Sequence, residues 1–176
     1  MSVNRKKISD FADHIRVALE MNSPPYDPKD AIRKLNGKII YDISEESTDG
    51  SIEKTDTNDF CIHLSNNKSP QRERFTLAHE LGHLFLHMGF IIDDEKWKLL
   101  SKLPESVFYR GNLYSDEEYE ANEFAASFLM PKQEFLNIAK SNLQNNLFNI
   151  DKIASYFDVS LESVTNRGKW LGIFQW

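Results

Sequence analysis

The chain has 176 residues, 40% of them hydrophobic and 27% charged, the composition of a soluble globular protein able to bury one sizeable core. Its formal net charge of −6 disfavours nucleic acid as the main partner. A single cysteine excludes an internal disulfide and no apolar run reaches the length of a leader or a membrane span, so the expected location is the cytoplasm.

Ile8, Phe11, Ala12, Ile15, Ala18 and Leu19 recur at helical spacing and predict an amphipathic helix over about residues 5–21. Ser23-Pro24-Pro25-Tyr26 breaks it. Asp27 caps a second short helix with Pro28 at its first position, ending at Gly37. Lys38 to Ile43 reads as a strand, and the polar stretch Ser44 to Asn58, centred on Asp49-Gly50, as a hairpin or a mobile loop. Phe60, Ile62 and Leu64 alternate with Cys61, His63 and Ser65, the pattern of a strand with one buried face. Cys61 reads there as a small buried hydrophobe.

Ser69 and Pro70 open a helix that Gly89 closes, and this helix carries His79-Glu80-Leu81-Gly82-His83. Histidines four apart on a helix project from one side, a turn apart, and can both bind one tetrahedral zinc at about 2.0–2.1 Å. Glu80, beside the first of them, is then placed as the general base of a metal-assisted hydrolysis. The competing reading is a surface helix with two solvated histidines. The flanks Phe75, Leu77, Ala78, Leu81, Leu84, Phe85 and Met88 oppose it, because so apolar a helix is buried, and buried histidines and glutamate must be paired or metal-bound.

Phe90 to Leu113 is irregular, broken at Pro104 and Gly111, with a short helix around Glu95 to Ser101. Beside a metal site it reads as a lid or substrate wall, or else as ordinary packing with Trp97 and Phe108 in the core. Ser115-Asp116-Glu117-Glu118 opens a helix running through Ala121, Ala125, Phe128 and Leu129 to Pro131, where the next begins and runs to about Ser141. Ile150 to Trp176 reads as two helices around Asp158-Val159-Ser160.

A hydrolytic zinc needs a third protein ligand and an open position. One solution places a histidine six residues after the second, but position 89 is glycine, and the glycine that solution needs at 86 is leucine. His87 lies a further turn along, too far on a rigid helix to share the ion with His79. It reads as structural, or as a support for the ligands. The other solution takes a glutamate from a second helix, and Glu117, Glu118 and Glu120 all stand in the segment 117–131.

Two stretches, Arg74-Phe75-Thr76-Leu77-Ala78-His79-Glu80-Leu81-Gly82-His83-Leu84-Phe85-Leu86-His87 and the Glu-x-x-Ala-Asn-x-Phe-Ala-x-x-Phe-Leu-Met-Pro that runs from Glu118 to Pro131, resemble the ImmA/IrrE family of metallo-endopeptidases. The likeness is densest from Phe60 to Pro131. It implies an α+β, zincin-like fold, with a short β-sheet packed beside the HExxH helix, further helices on both sides, and a second helix returning the third ligand. It also implies a zinc-dependent endopeptidase that cuts a helix-turn-helix (XRE-type) repressor encoded nearby and so derepresses a mobile-element, phage or stress operon. Longer members carry an N-terminal DNA-binding domain that this chain lacks, so its repressor is expected to be a separate protein. Residues 1–176 read as one metallopeptidase domain, with a core over about 27–141 and helix-turn-helix-like C-terminal helices over about 150–176 that belong to it.

For the third ligand Glu118 is preferred to Glu120 and Glu117, with Glu120 the alternative. Glu118 and Asn122 share a helix face one turn apart, so Asn122 can orient a metal-bound group. Glu-Tyr-Glu-Ala-Asn is also similar to the Glu-x-x-Ala-Asp of related membrane-bound zinc proteases, whose first glutamate is the ligand, with asparagine here in place of the supporting aspartate. The plain alternative makes Glu118 the end of a capping box with Ser115. Zinc is the expected ion, and manganese also suits a His₂Glu set. Tyr109, Tyr114 and His87 are the candidate donors to the oxyanion. An extended substrate is expected to add to the sheet edge near Asp59 to Ser65.

Two other functions compete. One is a toxin-like antirepressor that sequesters its partner without cutting it, in which Glu80 has no task. The other is a DNA-binding regulator acting through Ile153 to Arg167, whose second helix offers only Asn166, Arg167 and Lys169 to a groove.

Overall fold

The computed structural model describes residues 4–42, 49–100 and 116–175. Its elements are α1 (Arg5–Ala18), α2 (Pro28–Lys34), β1 (Lys38–Asp42), β2 (Gly50–Lys54), β3 (Phe60–Ser65), α3 (Pro70–Gly82), α4 (Asp94–Leu99), α5 (Asp116–Leu129), α6 (Lys132–Ser141), β4 (Leu143–Gln144), β5 (Leu147–Phe148), α7 (Ile150–Phe157) and α8 (Leu161–Trp170). Short polar side chains start many of the helices: Asn4, Asp27, Ser69, Asp93, Asn149 and Ser160 each accept from a backbone N–H of the first turn. The first helix stops earlier than its apolar spacing suggests. Glu20 takes a left-handed φ of 53° and Met21 N–H turns back to the Arg16 carbonyl at 3.0 Å.

The sheet is mixed, in the order β1-β3-β2, with β1 parallel and β2 antiparallel to β3. Asp49-Gly50 does not make the turn of a hairpin. It leads into β2, and the hairpin closes at residues 55–59, where the Thr55 and Asp56 N–H groups donate to the Asp59 carbonyl at 3.0 and 3.3 Å. The expectation that Asp59 to Ser65 forms a substrate-binding edge is therefore corrected. With Phe60, Cys61, Ile62 and Leu64 all buried, β3 is the most apolar strand and takes the centre, paired on both sides, while β1 and β2 are the edges among the described residues.

Ile52, Phe60, Ile62 and Leu64 turn one face of the sheet toward α3 and the core. On its other side α3 crosses α5 at close range, because Gly82 has no side chain: a Cβ there would lie 2.9 Å from the Ala121 Cα. Below the hairpin, α4 docks through Trp97, which is buried and donates its indole N–H to the Thr57 carbonyl at 2.6 Å. This settles Trp97 as core. Phe108 lies outside the described residues.

The C-terminal end of α5 is held by arginines from both ends of the chain. Arg16 of α1 donates through Nη1 to the Ser127 and Phe128 carbonyls at 2.8 and 2.9 Å, and Arg167 of α8 donates through Nε to Met130 O at 3.1 Å. Arg167 also pairs at 2.8 Å with Glu123 in mid-α5, where Ser127 Oγ donates to the same carboxylate oxygen. The turn between α7 and α8 sits on the start of α3, since Arg74 Nε and Gln71 Nε2 both donate to Asp158 at 3.1 Å. Ile8 and Ala12 of α1, and Ile153, Phe157 and Val164 of α7 and α8, lie in one buried cluster with Leu81 and Phe124. The core thus extends past 27–141 in both directions. No helix among the described residues is long and apolar enough to cross a membrane.

The buried Arg167–Glu123 pair makes the docking of α8 measurable. Arg167→Met leaves the Glu123 carboxylate with only Ser127 and the exposed Arg5, at 3.4 Å, and should cost about 1.5–3 kcal/mol in urea unfolding, whereas Arg167→Met with Glu123→Met should recover much of that loss. A single-variant loss below about 1 kcal/mol would mean that α8 is not anchored through this pair.

Candidate metal centre

His79 and His83 leave α3 on the side that faces α5, and the contact allowed by Gly82 brings the first turn of α5 onto them. Three side chains converge. His79 Nε2 and His83 Nε2 are 3.0 Å apart, Glu118 Oε2 lies 3.3 Å from His79 Nε2, and Glu118 Oε1 lies 3.2 Å from His83 Nε2. Ligands about 2.0–2.1 Å from one ion at tetrahedral angles are separated by about 3.3 Å, so these separations are of the size that three ligands of one ion require.

The outward hydrogen bonds fix which nitrogens carry protons. Asn122 Oδ1 lies 3.0 Å from His79 Nδ1 and only accepts, so that nitrogen is the donor. On the other ring, His83 Nδ1 is 2.9 Å from His87 Nδ1, and His87 Nε2 is 3.1 Å from Glu120 Oε2. A carboxylate takes the proton of His87 Nε2, leaving His87 Nδ1 to accept from His83 Nδ1–H. Both Nε2 lone pairs then point at each other and at a carboxylate, an arrangement only a cation satisfies, either a proton or a metal ion. The residues present fit a divalent ion.

The electrostatics agree with that reading. Hydrogen bonds from His79 and then His83 hold the Glu118 carboxyl well below the usual carboxylate range, although burial opposes them. Burial alone would push His79 down, but Glu118 and the nearby Glu80 charge outweigh it and raise its pKa. The more deeply buried His83 goes the other way, because for it burial prevails over the same Glu118. A metal ion bound here would have to compete with a proton for the His79 ring. Burial, reinforced by the Glu118 charge and opposed by His79, pushes Glu80 up to about 7, where a general base operates at neutral pH.

Several expectations change. The helix does not run regularly to Gly89. It widens into a π-helical turn over His83–His87, with Met88 N–H donating to the His83 carbonyl at 2.9 Å, a spacing often found at functional sites. His87 is not placed as an oxyanion donor, since it stands behind His83, on the nitrogen facing away from Glu118, with its other nitrogen on Glu120. Glu120 likewise serves His87 and does not join the convergent set. Tyr109, Tyr114 and Ser115 lie outside the described residues. One neighbour of the base was missed: a Cβ on Gly50 would meet Thr76 Cγ2 at 2.5 Å and Glu80 Oε1 at 3.2 Å, so β2 lies directly against the base. A glycine within a strand signals such close approach, and here it was read as part of a turn.

The model of the peptidase family described as the IrrE N-terminal-like domain matches residues 38–169. Metallopeptidase ImmA of Bacillus subtilis (strain 168) is 32% identical over 103 residues, which cover 58% of this chain and 52% of that protein. Among solved structures, a Mycobacterium tuberculosis transcriptional regulator shares the fold with a TM-score of 0.62 and 18% identity, over 92% of this chain and 46% of its own. The chain spans about half the length of each of these two relatives.

The choice between glutamates is testable by metal content. Glu118→Ala should lose stoichiometric zinc, while Glu120→Ala should retain it with weakened affinity, read by equilibrium dialysis. Zinc kept by the first variant and lost by the second would make Glu120 the ligand.

Proposed function

The chain belongs to the ImmA/IrrE family, as its IrrE N-terminal-like domain, and from that membership we propose that it is a zincin-like, zinc-dependent endopeptidase that cuts a helix-turn-helix repressor. The observation that carries the reading is the convergence of His79, His83 and Glu118 on one point, with the buried Glu80 carboxylate beside His79. The printed name of the relative, metallopeptidase, is of the same chemical class.

His79, His83 and Glu118 would hold the ion, which when bound supplies the Lewis acidity that activates a water and polarises the scissile carbonyl. Glu80 takes the proton of that water and delivers it to the leaving amine. Asn122 keeps the proton of His79 on Nδ1, and His87, itself fixed by Glu120, does the same for His83, so that both Nε2 lone pairs stay turned to the ion. Zinc suits this set, and manganese is the other ion it accepts.

The substrate reading follows from the sheet. β2 is an edge strand whose first residue, Gly50, rests against Glu80, so an extended peptide added along it would pass the base. A basic helix-turn-helix protein is the partner that a chain of net charge −6 attracts, and its removal would derepress a mobile-element, phage or stress operon. DNA itself is disfavoured, because Arg167, the strongest base-reading side chain of the last helices, is buried against Glu123. On this reading α7 and α8 are part of one peptidase domain that works in the cytoplasm.

Two variants test the chemistry. Glu80→Gln should bind zinc normally and cut the repressor encoded nearby about 10²–10⁴-fold more slowly, scored as fragments by mass spectrometry. An undiminished rate in the metal-loaded variant would end the mechanism, and undiminished repressor relief without fragments would make the protein a sequestering antirepressor. His87→Phe removes the acceptor behind His83 and should weaken zinc binding by about 10–100-fold, with Glu80→Gln as a control of unchanged affinity.

A further inference from the structure

On the face of the sheet turned away from α3, the β2–β3 register sets Glu53 directly opposite Cys61, and His63 follows two residues along on the same face. Their side chains converge. One ligand atom from each lies within 4.8 Å of the others, and His63 Nε2 is 3.2 Å from Glu53 Oε1. We propose that Glu53, Cys61 and His63 form a second divalent-metal site, selective for zinc, that staples β2 to β3.

The His63–Glu53 separation already suits one ion, and the sulfur, within 4.8 Å of both, must draw closer to share it. Nitrogen and oxygen ligands of one tetrahedral zinc lie about 3.3 Å apart, and a sulfur bound at about 2.3 Å lies about 3.6 Å from either. The backbone is already fixed, since β3 is hydrogen-bonded on both sides. Cys61 is 2% exposed and forms the floor of the cluster, while Glu53 and His63 are partly exposed and form its rim, so an ion would enter from solvent onto a thiol held in place. A surface pair between Glu53 and His63 accounts for two of the three groups. The thiol, which also lies 4.0 Å from the Ile62 carbonyl, adds the third and softest donor.

The donor set separates this site from the first. Thiolate, imidazole and carboxylate favour zinc over magnesium, calcium or manganese, whereas the centre on α3 has no sulfur. Binding deprotonates the Cys61 thiol and releases its proton to solvent, leaving one position for water. Glu53 is three residues from Gly50, the residue that touches Glu80, so an ion here also steadies the strand behind the proposed base. The site does not depend on the peptidase reading.

Cobalt(II) reads the two sites apart in the full chain, stripped with a chelator and reconstituted. The wild type should bind two equivalents and show a near-ultraviolet thiolate-to-cobalt charge-transfer band, which only Cys61 can produce because the sequence holds one cysteine. Cys61→Ser should lose the band and one equivalent, whereas His79→Ala should lose the other equivalent and keep the band. Glu53→Gln and His63→Gln, at partly exposed positions, should each weaken the band-forming equivalent at least about tenfold without changing the metal-free unfolding midpoint. These two variants decide the matter if Cys61→Ser does not fold. A wild type without the band, or Glu53→Gln and His63→Gln with unchanged cobalt affinity, overturns the proposal. Loss of cobalt from the α3 centre alone would count against the peptidase reading and leave this one standing.

Discussion

The close crossing of α3 and α5 is the constraint on which the rest depends. Two histidines on one helix present two ligand nitrogens and no more, and a third ligand must come from another element at a fixed height and angle. Gly82, inside the motif, and Ala121, one turn after Glu118, remove the bulk that would hold the helices apart. Glu118 then falls on the convergence point and Asn122 on the far nitrogen of His79. Both of these polar positions occupy one stripe of α5, and the stripe has a use only at this separation. A larger residue at 82 would disturb the convergence of His79, His83 and Glu118 by parting the helices, without touching any of the three.

Behind that contact the protein invests in polar groups where a simpler core would be apolar. Arg16, Arg167 and Glu123 are all buried, and together they tie α1 and α8 to the far end of the helix that carries Glu118. Buried ion pairs add little net stability over apolar packing, but they penalise misplacement strongly. Used along α5, they fix the axial position of a helix whose other end must meet two imidazoles to within a few tenths of an ångström. The apolar contacts around Phe11, Phe85 and Phe124 tolerate sliding more readily than those bonds do.

Much of this was legible in the sequence because it is local. Caps such as Asp27 and Ser69, the apolar stripe of α1, the paired histidines and the short-range identity of Asn122 as a partner one turn from Glu118 all follow from spacing within a few residues. What was hidden is what depends on distant partners. The polar Gly50–Lys54 stretch is a strand only because β3 offers it an edge, and Lys54 points inward because Trp97 and Leu100 offer carbonyls to its ammonium. The shared face with Asn122 favours Glu118, but the task of Glu120 was hidden, because it depends on His87 one π-helical turn along the other chain segment. Nothing near Arg16 in the sequence announces that it caps a helix more than a hundred residues away.

The arginines at the end of α5 also bear on the order in which the protein matures. Chains fold from the N-terminus as they emerge, so Arg16 is present when α5 first forms, while Arg167 emerges 44 residues after Glu123. Until then the helix carrying Glu118 has one of the two arginines that hold its end, and the Glu123 carboxylate has only the exposed Arg5, at 3.4 Å, as its guanidinium partner. The convergence of His79, His83 and Glu118 therefore gains its last support when α8 docks on the far end of α5.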